Sequence, residues 1–499
     1  MSVLAAAAIV TALVGLPPGT SAPPPGSIPL GAQVQVLDRQ LGIVAVGLRR
    51  RDANRTIARL RRAPGVRYAT ITPEDGGGLA SASAGCTFST PRSPGTHPNT
   101  WRSTIHLTRH SAAGFTVGIP DTGADLSRLG GTRDRIQSKN WTQGGLGVAD
   151  EVDHGTEIAS LIGANRPDLR ITGVAPDVGL AIARIARAGA CDTRTLTVNL
   201  IAAFEWFRSI GDVQIVNVSA TLVPSPALVD ELHALQESGT LVVAATGNSA
   251  DPGKYTFPAA EPHVLGVGAL GNGSRSVSAR SGRGSQVDLE APAAGLGVVY
   301  SSVDNPEQAG ATPAAGGTSF ATPLVSGAAA LVWARHSAWD ASRVAAALTM
   351  SATHLSGASP NTTSGYGLLN VKAALHATPP ADLDEPNDWA SAARGPGLAH
   401  KTTLAATVGG DNDPLDAYPL TTRKRSVVSI RGKGTLQAYL LRDTKLASIE
   451  GSLAALKAAA TVHRAGASLN LKIPRKGKWY VVVTAARATS PIAYTLRAG

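Results

Sequence analysis

Three side chains in this sequence have the types, and the places along the chain, to break an acyl bond together: a serine and a histidine that each open a helix, and an aspartate that ends a strand. The serine is Ser319, in Gly316-Gly317-Thr318-Ser319-Phe320-Ala321-Thr322-Pro323, which leads into Leu324–His336. At a helix start it sits among backbone N–H groups without intrahelical partners, close to the positive end of the dipole. Both stabilise negative charge developing beside its hydroxyl. The glycines let backbone and substrate approach closely, and Pro323 is tolerated because it lies near the helix start. Alone, the same pattern describes an ordinary helix cap.

A serine hydroxyl needs a base, and the base needs a carboxylate to orient it. His154, in Asp153-His154-Gly155-Thr156, opens a predicted helix whose apolar face carries Ile158, Leu161 and Ile162. Asp121 ends the hydrophobic run Val117-Gly118-Ile119-Pro120, at the strand edge where open α/β sheets place their sites. Taken singly, His154 reads as a structural histidine and Asp121 as a turn former before Thr122-Gly123. Asn248 follows the run Val243–Thr246. Its amide is suited to bind the oxyanion of a tetrahedral intermediate together with the Ser319 N–H.

The elements that must position these groups alternate along the chain. Phe115–Pro120, Leu180–Ile185, Gln214–Ser219, Thr240–Thr246 and His263–Ala269 read as buried strands, and His154–Ala164, Thr195–Ser209, Pro226–Ser238 and Ser319–His336 as helices. That order predicts an α/β domain over 86–378, a mostly parallel sheet with helices on both faces. Ahead of it, strand-like, helical and strand-like stretches between Gln33 and Ile71 predict a small α+β unit over 28–75. A Gly/Ala/Ser linker over 76–85 follows it. Behind it, after the acidic run Asp382–Asp388, the runs Ser426–Ile430, Leu436–Leu441, Ser468–Ile473, Trp479–Thr484 and Ile492–Leu496 predict a small antiparallel β-sandwich over 382–499. A short helix is expected over 450–461.

Composition narrows the function classes. Of 499 residues, 43% are hydrophobic and 16% charged, which excludes a mainly disordered chain. The net charge of +11 gathers in runs such as Arg49-Arg50-Arg51 and Arg423-Lys424-Arg425. These lack interleaved aromatics and read as solvated surface, so no nucleic-acid partner is expected. Val3–Leu16 is an unbroken stretch of apolar or small residues before Pro17-Pro18 and Thr20-Ser21-Ala22. It reads as the core of a signal peptide over 1–22 and is too short to span a bilayer. A secreted, extracellular protein without a membrane anchor is therefore expected. Cys86 and Cys191 either pair or are two unrelated thiols.

Asp121, His154, Asn248 and Ser319 occur in that order, each at a strand end or a helix start, and in this the chain resembles the subtilisin-like serine peptidase family, whose triad follows the order Asp, His, Ser. The resemblance runs over about residues 100–377. It includes Gly173-Val174-Ala175-Pro176, Val216-Asn217-Val218-Ser219, Val264–Ala269 and Val287–Pro292. It implies a serine endopeptidase acting on proteins or peptides, with Ser319 as nucleophile, His154 as base, Asp121 as orienting carboxylate and Asn248 as oxyanion donor. Ser219, Ala220 and Thr221 would form the substrate-pairing edge, with Ala245 and Gly247 in the pocket segment. Thr221 stands where the family has glycine and would narrow that pocket, leaving a medium apolar P1 residue as the default.

By the same resemblance, 28–75 would be an inhibitory propeptide, held as an intramolecular partner of a self-processing zymogen, with 76–85 as the maturation region. Residues 382–499 resemble the bacterial pre-peptidase C-terminal domain. No cofactor is needed for the chemistry. The acidic clusters suit either a structural calcium or solvated turns, and no metal ligand is assigned. A monomer is expected. Two other readings use the same residues: a catalytically dead relative that binds protein or wall polymer, and an esterase using Ser319.

Overall fold

The computed structural model describes residues 9–72, 100–379 and 403–498, apart from short stretches at 132–134, 143–146, 170, 188–191, 252–255, 262, 272–274, 285, 295, 300–310, 314–315, 356–360, 409–414, 423–425, 443–459, 461, 475–476 and 486–491. The expected linker 76–85, Cys86, Cys191, Asp382–Asp388 and most of the helix expected over 450–461 lie outside the described residues.

The central unit is a parallel sheet of strands β5 (Thr116–Asp121), β6 (Ile136–Asn140), β7 (Gly179–Arg184), β8 (Ile215–Val218), β9 (Leu241–Ala245), β10 (Val264–Leu270), β11 (Leu289–Pro292) and β12 (Gly367–Leu368). Their order across the sheet is β12-β11-β10-β9-β8-β5-β7-β6. Strands covered on both faces read as continuous apolar runs, and β9 and β10 are buried along their whole length.

Alternate residues serve opposite faces, as the pleat requires. Leu180, Ile182, Leu241 and Val243 share one core with helices α2 (His154–Gly163) and α5 (Thr318–Arg335). Ala181, Ala183, Val242 and Ala244 face the other, with helices α3 (Thr193–Ile210) and α4 (Pro226–Glu237). This is the doubly covered α/β architecture expected from the alternation. Strand β5 lies where the strand order reverses, between β8 and β7, so its carboxyl end opens into the crevice such sheets use for ligands. Pro120 fits there because β8 pairs with β5 only at Val117 and Gly118, ahead of the residue that lacks an N–H.

In the N-terminal unit the sheet has a strand ahead of the residues expected for it. Ile9–Gly15, placed by the sequence reading inside a signal peptide, is strand β1 of an antiparallel sheet with β2 (Val34–Asp38), β3 (Ile43–Arg49) and β4 (Tyr68–Ile71). It is an inner strand, in register with β3 from Ile9↔Arg49 to Gly15↔Ile43 and with β4 from Ala12↔Ile71 to Gly15↔Tyr68. Val10, Ala12 and Val14 pack on helix α1 (Arg50–Leu60) through Ala53, Ile57 and Leu60. Leu13 points the other way, into the core of the central unit. A strand buried on both faces has the same unbroken hydropathy as a leader, which is why composition could not separate them. The unit therefore spans 9–72 rather than beginning at residue 28.

The C-terminal unit is an antiparallel sheet of β13 (Thr403–Val408), β14 (Leu415–Thr422), β15 (Ser426–Arg442), β16 (Val462–Ile473), β17 (Gly477–Ala485) and β18 (Ile492–Ala498). The two runs expected at 426–430 and 436–441 are one strand, β15. Its first half pairs with β18 and its second half with β17, and the register with β16 shifts between Arg431 and Leu436. Val428, Ile430, Leu436, Trp479, Tyr494 and Leu496 meet in one core. Among the described residues no helix is long and apolar enough to cross a membrane.

Candidate active site

Asp121 is the last residue of β5 and His154 the first of α2. Both are nearly buried, and the imidazole Nδ1 lies 2.8 Å from Asp121 Oδ1. That oxygen also accepts the Thr122 N–H at 2.7 Å, while Thr122 Oγ1 accepts the Gly155 N–H at 2.9 Å. The strand end and the helix start are thus laced together on both sides of the pair. Gly155 is required by close approach, since a Cβ there would lie 2.1 Å from the Gly123 carbonyl oxygen and 3.2 Å from Asp121 Cβ.

A buried carboxylate not anticipated from sequence builds the turn that presents the imidazole. Asp150 accepts four hydrogen bonds, from the Val152 and Asp153 N–H groups on one oxygen and from the Thr156 N–H and hydroxyl on the other. Asp153, immediately before His154, is held in the left-handed region at φ 72°, which aspartate tolerates better than most residues. In the sequence, Asp150 sits four residues ahead of His154 with no strand or periodic pattern to mark it. Replacing Asp150 by alanine strips these donors of their acceptor, and a loss of about 3 kcal/mol is expected. Thermal or denaturant unfolding of the Asp150→Ala chain checks this; unchanged stability would mean that the turn holds itself.

The electrostatics favour the charged imidazole. Burial pulls the His154 pKa down, but the Asp121 charge and hydrogen bond, with Glu157 and Asp150, outweigh it, and the net shift is upward from the ordinary histidine value. A desolvated cation beside a fixed carboxylate is what a base needs in order to hold a proton taken from a nucleophile.

Ser319 is the second residue of α5, after Thr318. The His154 ring meets the Phe320 ring edge-on, with centroids 5.8 Å apart, so the histidine abuts the turn that carries Ser319. Gly317, ahead of the helix, takes φ 133°, and a Cβ there would approach Asn248 Oδ1 to 3.2 Å. Asn248 is oriented by Thr318, whose N–H and hydroxyl reach Asn248 Oδ1 at 3.0 and 3.3 Å. With Oδ1 engaged as acceptor, the amide NH2 is the end left to donate. The Thr318 hydroxyl oxygen in turn accepts the Gly247 N–H at 3.1 Å. Thr318 is therefore the hub between the Asn248 loop and the start of α5, a role its place in the Gly-Thr-Ser motif did not announce.

The expected substrate edge follows β8. The Ser219 hydroxyl is buried and donates to the Ser319 carbonyl oxygen at 2.8 Å, while accepting from Asn217 Nδ2 at 2.9 Å. Asn217 Oδ1 accepts from the Ser326 hydroxyl at 2.9 Å, about two α5 turns beyond Ser319. The Ser219 side chain thus ties the edge to α5. Ala220 and Thr221 are partly exposed beside it. A Cβ built on Gly247 would stand 3.2 Å from Thr221 Cγ2 and 3.4 Å from Thr256 Cγ2. Thr221 and Gly247 therefore face each other, with Thr256 behind. Ala245 is the buried last residue of β9. Among the described residues no group of three or more His, Cys, Asp or Glu side chains could hold a metal ion.

Residues 112–367 match the model of the subtilase family. Subtilisin E of Bacillus subtilis (strain 168) is 30% identical over 279 residues, covering 54% of this chain and 68% of the relative. A subtilisin of Bacillus pumilus is 30% identical over 279 residues, covering 54% of this chain and 94% of that one. Among solved structures, fervidolysin from Fervidobacterium pennivorans, a keratinolytic enzyme related to subtilisin, has the same fold over 93% of this chain and 85% of its own, at a TM-score of 0.60 and 15% identity. The family match spans the strands and helices that carry Asp121, His154, Asn248 and Ser319, and with it the chain belongs to the subtilase family and is a serine-type endopeptidase.

Proposed function

We propose that Ser319 attacks the scissile peptide carbonyl while His154 takes its proton, and that the observation carrying this assignment is the buried 2.8 Å His154–Asp121 pair set against the Ser319 turn. Asp121 accepts from Nδ1–H, so Nε2 is the nitrogen left to act as base. The tetrahedral oxyanion is held by the Asn248 amide and the Ser319 N–H at the α5 N-terminus. His154 then protonates the departing amine, and water clears the acyl-enzyme. Every proton and bond in this cycle is handled by side chains and backbone, so the chemistry draws on no cofactor. Casein degradation by the purified protein, compared with hydrolysis of a simple ester, tests the reading: efficient ester cleavage without proteolysis would favour an esterase.

The substrate would lie along 219–221 as an added strand, its P1 side chain entering between that segment and Ala245–Gly247. The Thr221 methyl facing Gly247 leaves a slot for small residues, narrower than the medium apolar P1 read from sequence. Thr221→Gly is expected to raise kcat/KM for aromatic over alanine P1 substrates by tenfold or more, as pocket volumes of this kind are worth about 1–3 kcal/mol. An unchanged P1 profile in a peptide library would place the pocket elsewhere.

The unit 9–72 is read as an inhibitory prodomain of a self-processing zymogen, on the support of its seat against α3 and α4. Secretion is part of the same reading, on the support of the family resemblance. The C-terminal sheet as a pre-peptidase module and a monomeric state remain parts of this same proposal.

A further inference from the structure

Two carboxyls and one guanidinium are buried together where the N-terminal unit meets the central domain. Asp38, at the end of β2, and Glu231, on α4, have side chains at 0% exposure, and Arg208, on α3, is at 10%. Arg208 Nη2 donates to Asp38 Oδ2 and, at 3.2 Å, to Glu231 Oε2. The two carboxyls thus meet on one guanidinium nitrogen, and Glu231 Oε1 is buried without a hydrogen-bond partner among the described residues. Burial, with a second acid on the same cation, pushes the Glu231 carboxyl well above its usual pKa.

The groups around them do not supply the missing charge. Arg208 Nη1 turns to Gln40 Oε1 at 3.2 Å. Glu205 on α3 adds a further acid, near Asp38, Lys139 and Arg208. Arg67 of the N-terminal unit is committed to Asp230 at 2.6 Å, with the Tyr68 hydroxyl on the same oxygen at 2.9 Å. His233, two residues beyond Glu231, is held well below its usual pKa by burial and is neutral near pH 7. Leu13, Leu37, Ile43 and Ala45 bury against Leu200, Phe204 and Phe207 in one apolar cluster around this site. That cluster supplies attraction without regard to pH.

We infer that Glu231 carries a proton where the N-terminal unit seats Asp38 over the Arg208 it shares, so that the contact between unit and domain takes up a proton as it closes and is loosened by alkali. The inference deepens the prodomain reading above and rests on it for its biological meaning: release of the unit, and with it activation, would be favoured by rising pH. The sign follows from linkage. Apart, Glu231 faces water and ionises in the ordinary carboxylate range. Covered, it keeps its proton to higher pH. The closed contact is therefore fully favoured below the free carboxylate value and weakens as pH rises through the raised one, by at most tenfold per unit for one proton.

The test uses the full chain carrying Ser319→Ala, which needs no peptidase activity. Hydrogen exchange of the α3 and α4 amides, normalised to intrinsic rates, reports opening of the contact from pH 5 to 9. Protection in this chain is expected to fall with pH by more than tenfold across the range, and Glu231→Gln, which mimics the protonated acid, to hold it flat. Asp38→Asn does the same from the opposite face and serves if Glu231→Gln does not fold. Protection that is constant or rises with pH, or that falls equally in both variants, overturns the proton-linked contact. None of these outcomes bears on Ser319, whereas loss of prodomain inhibition with a normal exchange profile would sink the zymogen reading alone.

Discussion

Ser319→Ala is expected to lower kcat on a peptide substrate by about 10^6-fold, the size of effect found when the nucleophile or base of a subtilisin triad is removed. The structure says why the loss should be nearly complete. Ser319 is a side chain at the start of α5, and His154 is anchored to Asp121 with its ring against Phe320. Without the hydroxyl, the histidine has no nucleophile to activate, and only binding and the oxyanion donors remain. His154→Ala should cost about as much, and the double variant little more, because the two act as one unit. Additive losses in the double variant would mean that the residues work independently. The fold should be intact in Ser319→Ala, since among the described residues no hydrogen bond of that hydroxyl holds the helix. The Ser319 contact that matters for packing is its carbonyl, which accepts from Ser219.

Asp121→Asn is expected to lower kcat/KM by about 10^4-fold with the geometry preserved, through the wrong tautomer of His154. An asparagine NH2 facing Nδ1 makes that nitrogen an acceptor and leaves the proton on Nε2, where the base is needed. The pH profile should move as well. In the wild type the imidazole must be neutral to act, so activity is lost as pH falls through the His154 pKa, which Asp121 helps to hold above the usual histidine value. The acid limb of kcat/KM should therefore lie above about pH 6.5. Removing the Asp121 charge leaves burial as the strongest remaining influence, and burial pulls the other way. The acid limb of the residual activity should shift downward. A limb that stays in place would mean that another group is titrating.

How much of this was legible beforehand depends on where the information lay. The strands of the central sheet were readable because burial on both faces writes itself as short apolar runs, and β9 and β10 fall within a residue or so of their expected bounds. The site was readable because each of its groups sits at the junction of such a run with a loop or helix. Strand β1 reads as a leader for the same physical reason that β9 reads as a strand, since apolar continuity does not say what covers it. Strand β15 was divided in two because Gly432 and Gly434 interrupt its hydrophobic alternation, although the backbone continues through them. Asp150 and Thr318 escaped notice because their work is done by partners close in space with no periodic spacing, as is that of Asp38, whose partners Arg208 and Glu231 lie 170 and 193 residues away along the chain.

The pocket sits between these cases. Thr221 was visible as a departure from the family pattern, but its effect depends on what faces it. Gly247 and Thr256 answer that, and they turn a narrowed slot into an expectation of small P1 residues. The contact of the N-terminal unit shows the same dependence, because a lone Arg208 on an amphipathic helix looks solvated until Asp38 is laid over it.

The central claim is that Ser319 is a nucleophile made reactive by His154. Labelling of the purified protein with a fluorophosphonate, followed by peptide mapping of the adduct, tests it most directly. The account predicts a single adduct on Ser319 in the wild type and none in His154→Ala, where the hydroxyl is present but has no base. An adduct on another residue, or equal labelling of Ser319 with and without the histidine, would contradict it.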